Sequence, residues 1–308
     1  MSLNLSALAD YTNEYGNDLV AKMVAEGQTL KNITIQPGIK SADNIPTFSS
    51  TIALQAGACG WNANSSTVLG KMNLAVDAID YMEALCLKDA EKKGLQWMIK
   101  PGSIGDDTAF AQKFVAEKNA QLSLANENLA WQGNKLTGSG NNARTNGFLW
   151  YLINTSASAS TINTSGYTGV SSSNVIGLVD HIVTLFPVAL RTLTTKKIFM
   201  GTDSFQTLLI AMKNSNNFHV FDTAGATAFE MKHPVFTDVT LVGTTGLDGT
   251  NKMAASVKEN FYAGTDLVSE EDRIDLWYSK DNREIRLAAS YKLGFNVMFP
   301  EFVVVHKA

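Results

Sequence analysis

Histidine, cysteine and carboxylate side chains most often hold metals or move protons, and their spacing in this chain assembles neither kind of site. The four histidines, His181, His219, His233 and His306, form no H-x-H or H-E-x-x-H pattern and have no cysteine close by. A zinc site is therefore not expected. His181 sits among apolar neighbours and reads as a structural histidine with its polar atoms satisfied. Glu270, Glu271, Asp272 and Asp275 could ligate calcium, but the interposed Arg273 suggests the solvated start of a strand. Ser204, in Gly201-Thr202-Asp203-Ser204-Phe205, lacks the second glycine of a nucleophile elbow. The stretch Gly243-Thr244-Thr245-Gly246-Leu247-Asp248-Gly249 has glycines enough for a phosphate cradle. It has neither the G-x-G-x-x-G spacing nor a Walker ending, and is read as a surface turn. No catalytic residue, cofactor or metal ligand is assigned.

Composition narrows the field further. A net charge of −4 leaves no footprint for tight nucleic-acid binding, so DNA could be met only through non-specific contacts. Trp61, Trp97, Trp131, Trp150 and Trp277 are scattered, without the basic stripe of a base-stacking surface. Cys59 and Cys86 read as free thiols of a protein made in a reducing cytoplasm. No basic-then-apolar leader opens the chain and no apolar run is long enough to span a bilayer, so no membrane is expected.

With no chemistry to position, the elements themselves become informative. Leu5, Leu8, Tyr15, Leu19 and Met23 mark one stripe of a helix, and the chain from Gly27 to Pro46 reads as polar and extended, broken at Pro37-Gly38. Such a segment has no core of its own and must lie on something else. Ile52, Leu54, Ala56 and Ala58 alternate, Asn62 to Ser66 turn, and Val68, Met72, Leu74 and Val76 return at even spacing, which predicts a long hairpin. The strongest helix signal covers Asp107 to Gln132, with Phe110, Phe114, Ala125 and Leu129 near one face and Gly133 at the expected left-handed C-terminal position. At 1.5 Å per residue this is a rod of roughly 39 Å.

Polar chain from Asn154 to Asn174 reads as a surface loop or interface patch. A helix follows from Ser173 to Pro187, then a strand at Lys197 to Met200 and a helix opened by an Asp203-x-x-Gln206 capping box. Strands are predicted at Val239 to Val242 and at Met253 to Val257. Near the end, Ile274, Leu276 and Tyr278 alternate, Lys280-Asp281-Asn282-Arg283 turns, and Ile285, Leu287, Ala289 and Tyr291 alternate back. After Gly294 a third strand is expected through Phe295, Val297 and Phe299. The fold class is α+β.

The order of arm, hairpin, long helix, mixed middle and closing strands resembles the major capsid proteins of tailed bacteriophages with the Hong Kong 97-type fold. The likeness is sharpest at Asn260-Phe261-Tyr262-Ala263-Gly264-Thr265-Asp266-Leu267, Asp275-Leu276-Trp277-Tyr278-Ser279, Lys292-Leu293-Gly294-Phe295-Asn296-Val297 and Phe299-Pro300-Glu301. Cys59-Gly60-Trp61 and Leu129-Ala130-Trp131-Gln132-Gly133 are similar to marks of the branch from phages of Bacteroidetes-type hosts.

The resemblance implies an N-terminal arm at 1–46, an E-loop at 47–88, a peripheral domain from 89–136 and 264–308, and an axial domain at 137–263. It implies a structural protein of the virion that assembles with itself into hexamers and pentamers of an icosahedral shell. It further implies a separate scaffolding protein, since the chain has no room for a cleaved scaffolding segment, together with a portal and decoration proteins. Expected assembly contacts are Leu5, Leu8, Leu19 and Met23 of the arm, Asn62 and Asn64 of the hairpin turn, and Lys280, Asp281, Asn282 and Arg283 of the late turn. Lys71 and Asn282 have the side chains of a cross-linking pair but read as solvated surface residues. Two alternatives stand beside this reading: an encapsulin-like compartment holding an enzyme, and an enzyme with an unusual site in the middle region.

Overall fold

The computed structural model describes residues 27–57, 64–86, 107–155, 161–215, 229–266, 273–282 and 284–307. Its first element is a single helical turn, α1 (Gln28–Lys31), followed by β1 (Thr34–Gln36). Leu30, Ile33 and Ile39 are buried, and Ile35 is packed against the core. Gly38 takes a φ of +80°, which turns the chain so that the Ile39 amide donates to the Thr265 carbonyl at 3.1 Å. Residues 27–39, read from sequence as part of a coreless arm, thus belong to the subunit's own core. Each such buried aliphatic side chain contributes about 1.5–3 kcal/mol, enough to outweigh a polar average composition. The arm stripe from Leu5 to Met23 lies outside the described residues.

The hairpin forms, but from other residues than expected. Strand β2 (Ala42–Thr51) pairs antiparallel with β3 (Ser66–Ala75), from Ala42 opposite Ala75 to Thr51 opposite Ser66. Residues 52–57, whose alternation suggested the first limb, are exposed and outside any strand. Pro46 is tolerated because a two-stranded ribbon leaves each strand an open edge that needs no donor. After Val76 the chain enters β4 (Asp77–Cys86), which leaves the hairpin and joins a larger sheet.

Helix α2 (Asp107–Gln132) has the predicted bounds. Gly133 is not left-handed. A Cβ there would stand 2.4 Å from the Leu129 carbonyl oxygen and 2.5 Å from that of Thr145, so close backbone approach explains the glycine. Strand β5 (Ile162–Asn163) and the helices α3 (Val175–Thr184) and α4 (Val188–Arg191) follow. Strand β6 (Lys196–Gly201) leads straight into α5 (Thr202–Asn214). The expected Asp-x-x-Gln box does not cap α5. Its first amide, on Thr202, donates instead to Asp248 Oδ1 at 2.5 Å, a cap delivered from a distant loop. Then come β7 (Glu230–Lys232), β8 (Val239–Thr244), β9 (Met253–Val257) and β10 (Phe261–Thr265). The chain closes with β11 (Arg273–Ser279), β12 (Glu284–Val297) and β13 (Val304–His306). Gly294 does not divide β12 into two strands. A Cβ at this position would lie 1.9 Å from the Ala75 carbonyl oxygen, so the glycine admits the root of the hairpin.

Two sheets result. In one, β1 runs parallel to β10, β10 antiparallel to β12, and β12 antiparallel to both β11 and β4. The other has the order β5-β13-β9-β6-β8-β7, so β13 departs from the closing strands with which it was grouped and returns to the middle of the chain. Helices α3 and α5 cover one face of this second sheet, against Ile198, Met200, Leu241, Met253 and Ala255. Its opposite face, with Phe199, Val242, Ala254 and Val305, shares a core with Trp131, Phe148, Phe261 and the first sheet. Burial on both faces explains why all five residues of β9 are buried rather than alternating.

Candidate functional site

Beyond its root the hairpin has no partner among the described residues. Met72 and Leu74 pack with Ile39 and Val76 at the base. Further out, Phe48 and Leu69 stand directly opposite each other and are 66% and 72% exposed. Val68, on the other face, and Ile52 and Leu54, past the end of β2, are exposed as well, Leu54 at 95%. Apolar side chains thus stand exposed on both faces of a two-stranded ribbon, an element that is marginal in water by itself.

The outer face of the five-stranded sheet carries two exposed large apolar side chains among polar and charged ones. Strand period two turns Ile285, Leu287, Ala289 and Tyr291 inward. Register places Met82 beside Ala288, and Trp277 beside Arg286, on the opposite face, where Met82 is 78% exposed. On the covered side Lys118 of α2 pairs with Glu83 of β4 at 2.8 Å. Partial burial works against the Glu83 charge, but hydrogen bonds from Lys118 and Tyr81 hold its carboxyl below the usual range. A cleft of about 270 Å³ opens between α2 and β4, lined in part by Leu122, Asn126, Arg144 and Tyr291. Burial pushes the Tyr291 phenol up to about 12, and its hydroxyl donates to Asn126 Oδ1 at 2.6 Å.

The joint between the sheets is polar. Glu127, 4% exposed, accepts from the Thr29 amide at 2.7 Å, the Thr29 hydroxyl at 2.6 Å and the Thr244 hydroxyl at 2.5 Å. Trp131 Nε1 donates to the same Thr29 oxygen at 2.7 Å. Three donors satisfy a carboxylate that has no cation beside it in this network, which is the condition for burying one at tolerable cost. The turn from Gly243 to Gly249, expected at the surface, lies in this joint. Thr244, Gly246 and Leu247 are buried, and a Cβ on Gly246 would lie 2.2 Å from the Glu127 carbonyl oxygen. Sequence reading missed Glu127, since nothing local separates it from the exposed Glu117 of the same helix.

The predicted contact residues fall in two groups. Asn64, Lys280, Asp281 and Asn282 are exposed, whereas Leu5, Leu8, Leu19, Met23, Asn62 and Arg283 lie outside the described residues. Lys71 is exposed on β3. Among the described residues the buried Nε2 of His181 has no hydrogen-bond partner, unlike the satisfied histidine expected. Among the described residues no three His, Cys, Asp or Glu side chains come together as a metal site, and no helix is long and apolar enough to cross a membrane. Cys86 is a half-buried free thiol, while Cys59 and Glu270 to Asp272 lie outside the described residues. Asn260, the first residue of the closing motif, has a structural task. Its side chain donates to Ser256 Oγ and the Phe299 carbonyl, both at 2.9 Å, and accepts from the Phe299 amide at 2.7 Å.

No protein-family model matches the sequence, and no curated protein matches it. Solved structures do. A chain of the satellite phage P4 procapsid including size determination (Sid) protein is similar at a TM-score of 0.59 and 12% identity, over 94% of this chain and 98% of that one. The capsid of Myoviridae phage XM1 follows at 0.55 and 13% identity, over 89% of both chains. A virus-like particle from Pyrococcus furiosus gives 0.53 at 10% identity, over 97% of this chain and 100% of that one. At such identities the likeness is one of fold, and the fold is the mixed α+β type of Hong Kong 97-like capsid subunits.

Proposed function

We propose that this chain is a shell-forming structural protein, the major capsid protein of a tailed bacteriophage, which assembles into hexamers and pentamers of an icosahedral head around double-stranded DNA. The observation that carries the reading is the hairpin of β2 and β3, apolar on both faces beyond its root, on a chain whose fold matches phage capsid subunits over most of its length. In this reading the hairpin is an E-loop laid on a neighbouring subunit. Helix α2 is the spine of a peripheral domain built with the five-stranded sheet, and the six-stranded sheet with α3 and α5 is the axial domain. The arm ends before Gly27, and its stripe from Leu5 to Met23 serves neighbours. The subunit is made in the host cytoplasm and ends in the virion, with a separate scaffolding protein, a portal and decoration proteins as partners. The Cys59-Gly60-Trp61 and Leu129 to Gly133 motifs support placement in the Bacteroidetes-type branch.

Expression of the full chain, alone and with a candidate scaffolding protein, followed by negative-stain microscopy, tests the proposal. Closed shells or capsomer rings are expected; a strictly monomeric species at high concentration under both conditions would sink it. The alternative, an encapsulin-like compartment, would share this fold and is no better supported by the similar structures. Particles isolated from their native source with nuclease-protected DNA support the capsid, and particles with a copurifying enzyme support the compartment.

A further inference from the structure

His233 closes the turn between β7 and β8 from within. Its side chain is 4% exposed, and its Nδ1 accepts from two main-chain amides, Val235 at 3.2 Å and Phe236 at 3.1 Å. A ring nitrogen that accepts twice carries no proton, so the hydrogen sits on Nε2, which donates to Asp180 Oδ1 of α3 at 3.1 Å. The neutral ring is therefore satisfied at both nitrogens. A second proton would turn Nδ1 into a donor facing two donors, and the turn or the ring would have to move. We propose that His233 is an acid-sensitive latch on the turn from Pro234 to Asp238, holding it closed when neutral and releasing it when protonated.

The charged groups around the ring compete. Asp180 on α3 favours the cation, as does Asp238 at the end of the turn, itself paired with Lys196 of β6. Glu230 of β7 is engaged by Lys197 at 3.4 Å, Lys232 is exposed, and His181, next to Asp180 on α3, packs its ring 5.6 Å from that of Tyr167. Burial outweighs the acids and holds the His233 pKa below the ordinary 6.5. The turn is also apolar: Val235 is 74% exposed, and the Phe236 ring lies 5.3 Å from the imidazole. Acid would thus rearrange an apolar surface patch at the end of the second sheet where β6 and β8 begin. The latch resides in one subunit and does not depend on the shell reading.

Hydrogen exchange of the peptide spanning residues 229–242 in the full chain, corrected for intrinsic exchange and followed from pH 8 to pH 5, reads the latch directly. Protection at Val235 and Phe236 should fall below a midpoint, by up to roughly tenfold per pH unit. His233→Asn keeps an acceptor that takes no proton, and its profile should be flat. Asp180→Asn removes the cation's main support and should move the midpoint to lower pH. A flat wild-type profile, or an unchanged step in His233→Asn, overturns the proposal. Should asparagine fail to hold the turn at any pH, Asp180→Asn decides alone, and an unmoved midpoint there overturns it equally.

Discussion

Thr29 and Glu127 stand 98 residues apart in the chain and are joined by two hydrogen bonds, one from the Thr29 amide and one from its hydroxyl. The carboxylate also takes the Thr244 hydroxyl, so one side chain of α2 ties the first described turn of the chain to the second sheet. Replacing Glu127 by Ala strands those donors in a buried site and should cost about 1–3 kcal/mol for each one left unpaired. Urea denaturation checks this. A wild-type midpoint would mean that water fills the site without loss.

The same relationship sets where the chain can be shortened. A chain starting at Ser41 loses Thr29, Leu30, Ile33 and Ile39 and should melt far below the full-length protein. Calorimetry of the two separates core from arm. The shorter chain melting at the wild-type temperature would return residues 27–40 to the arm.

On the hairpin, Phe48→Lys together with Leu69→Glu replaces two exposed apolar side chains on one face with an oppositely charged cross-strand pair. Subunit stability should change by no more than about 0.5 kcal/mol, while assembly should fail. Sedimentation velocity alongside thermal melting distinguishes these outcomes, and normal particles from the double variant would remove the hairpin face from the assembly contacts.

The late turn offers a test by charge. Lys280, Asp281 and Asn282 are exposed, so reversing Lys280 to Glu should leave the fold intact and, if the turn is an assembly contact, weaken association through lost complementarity across that interface. Particle yield against ionic strength reads it. Unchanged yield at low salt would clear this turn of any part in assembly.

His306 supplies a pH dependence. It is wholly buried on β13, its Nδ1 lies 2.7 Å from the Thr164 hydroxyl, and its Nε2 has no hydrogen-bond partner among the described residues. Burial holds its pKa below the unfolded value near 6.5. The unfolded chain therefore takes up the proton first, and the contribution to stability is complete above about pH 6.5 and shrinks as pH falls below it. Denaturation midpoints at pH 7.5 and 5.5 should differ more for the wild type than for His306→Gln. Equal differences would place the acid sensitivity elsewhere.

Period and punctuation were legible where local pattern decides. Asp107 to Gln132 and Met253 to Val257 have the bounds expected. The hairpin was displaced because residues 52–57 alternate without forming a strand, while polar residues 42–51 become one through pairing with 66–75. Strand formation follows the neighbour more than the residue. The Glu127 joint was invisible for a related reason. Its donors come from positions 29 and 244, and no window of sequence contains both. The turn from Gly243 to Gly249 has a composition suited to solvent, and only its position under Trp131 buries it.

Strand β6 gives Ile198 and Met200 to one core and Phe199, between them, to the other. Neither layer can be peeled open without withdrawing a wall from its neighbour. The subunit should therefore unfold as a single cooperative unit, with one calorimetric transition in place of two. A lattice built from such units would yield at the contacts between copies before any copy came apart, and strain imposed on one face of a subunit would be felt at once on the other.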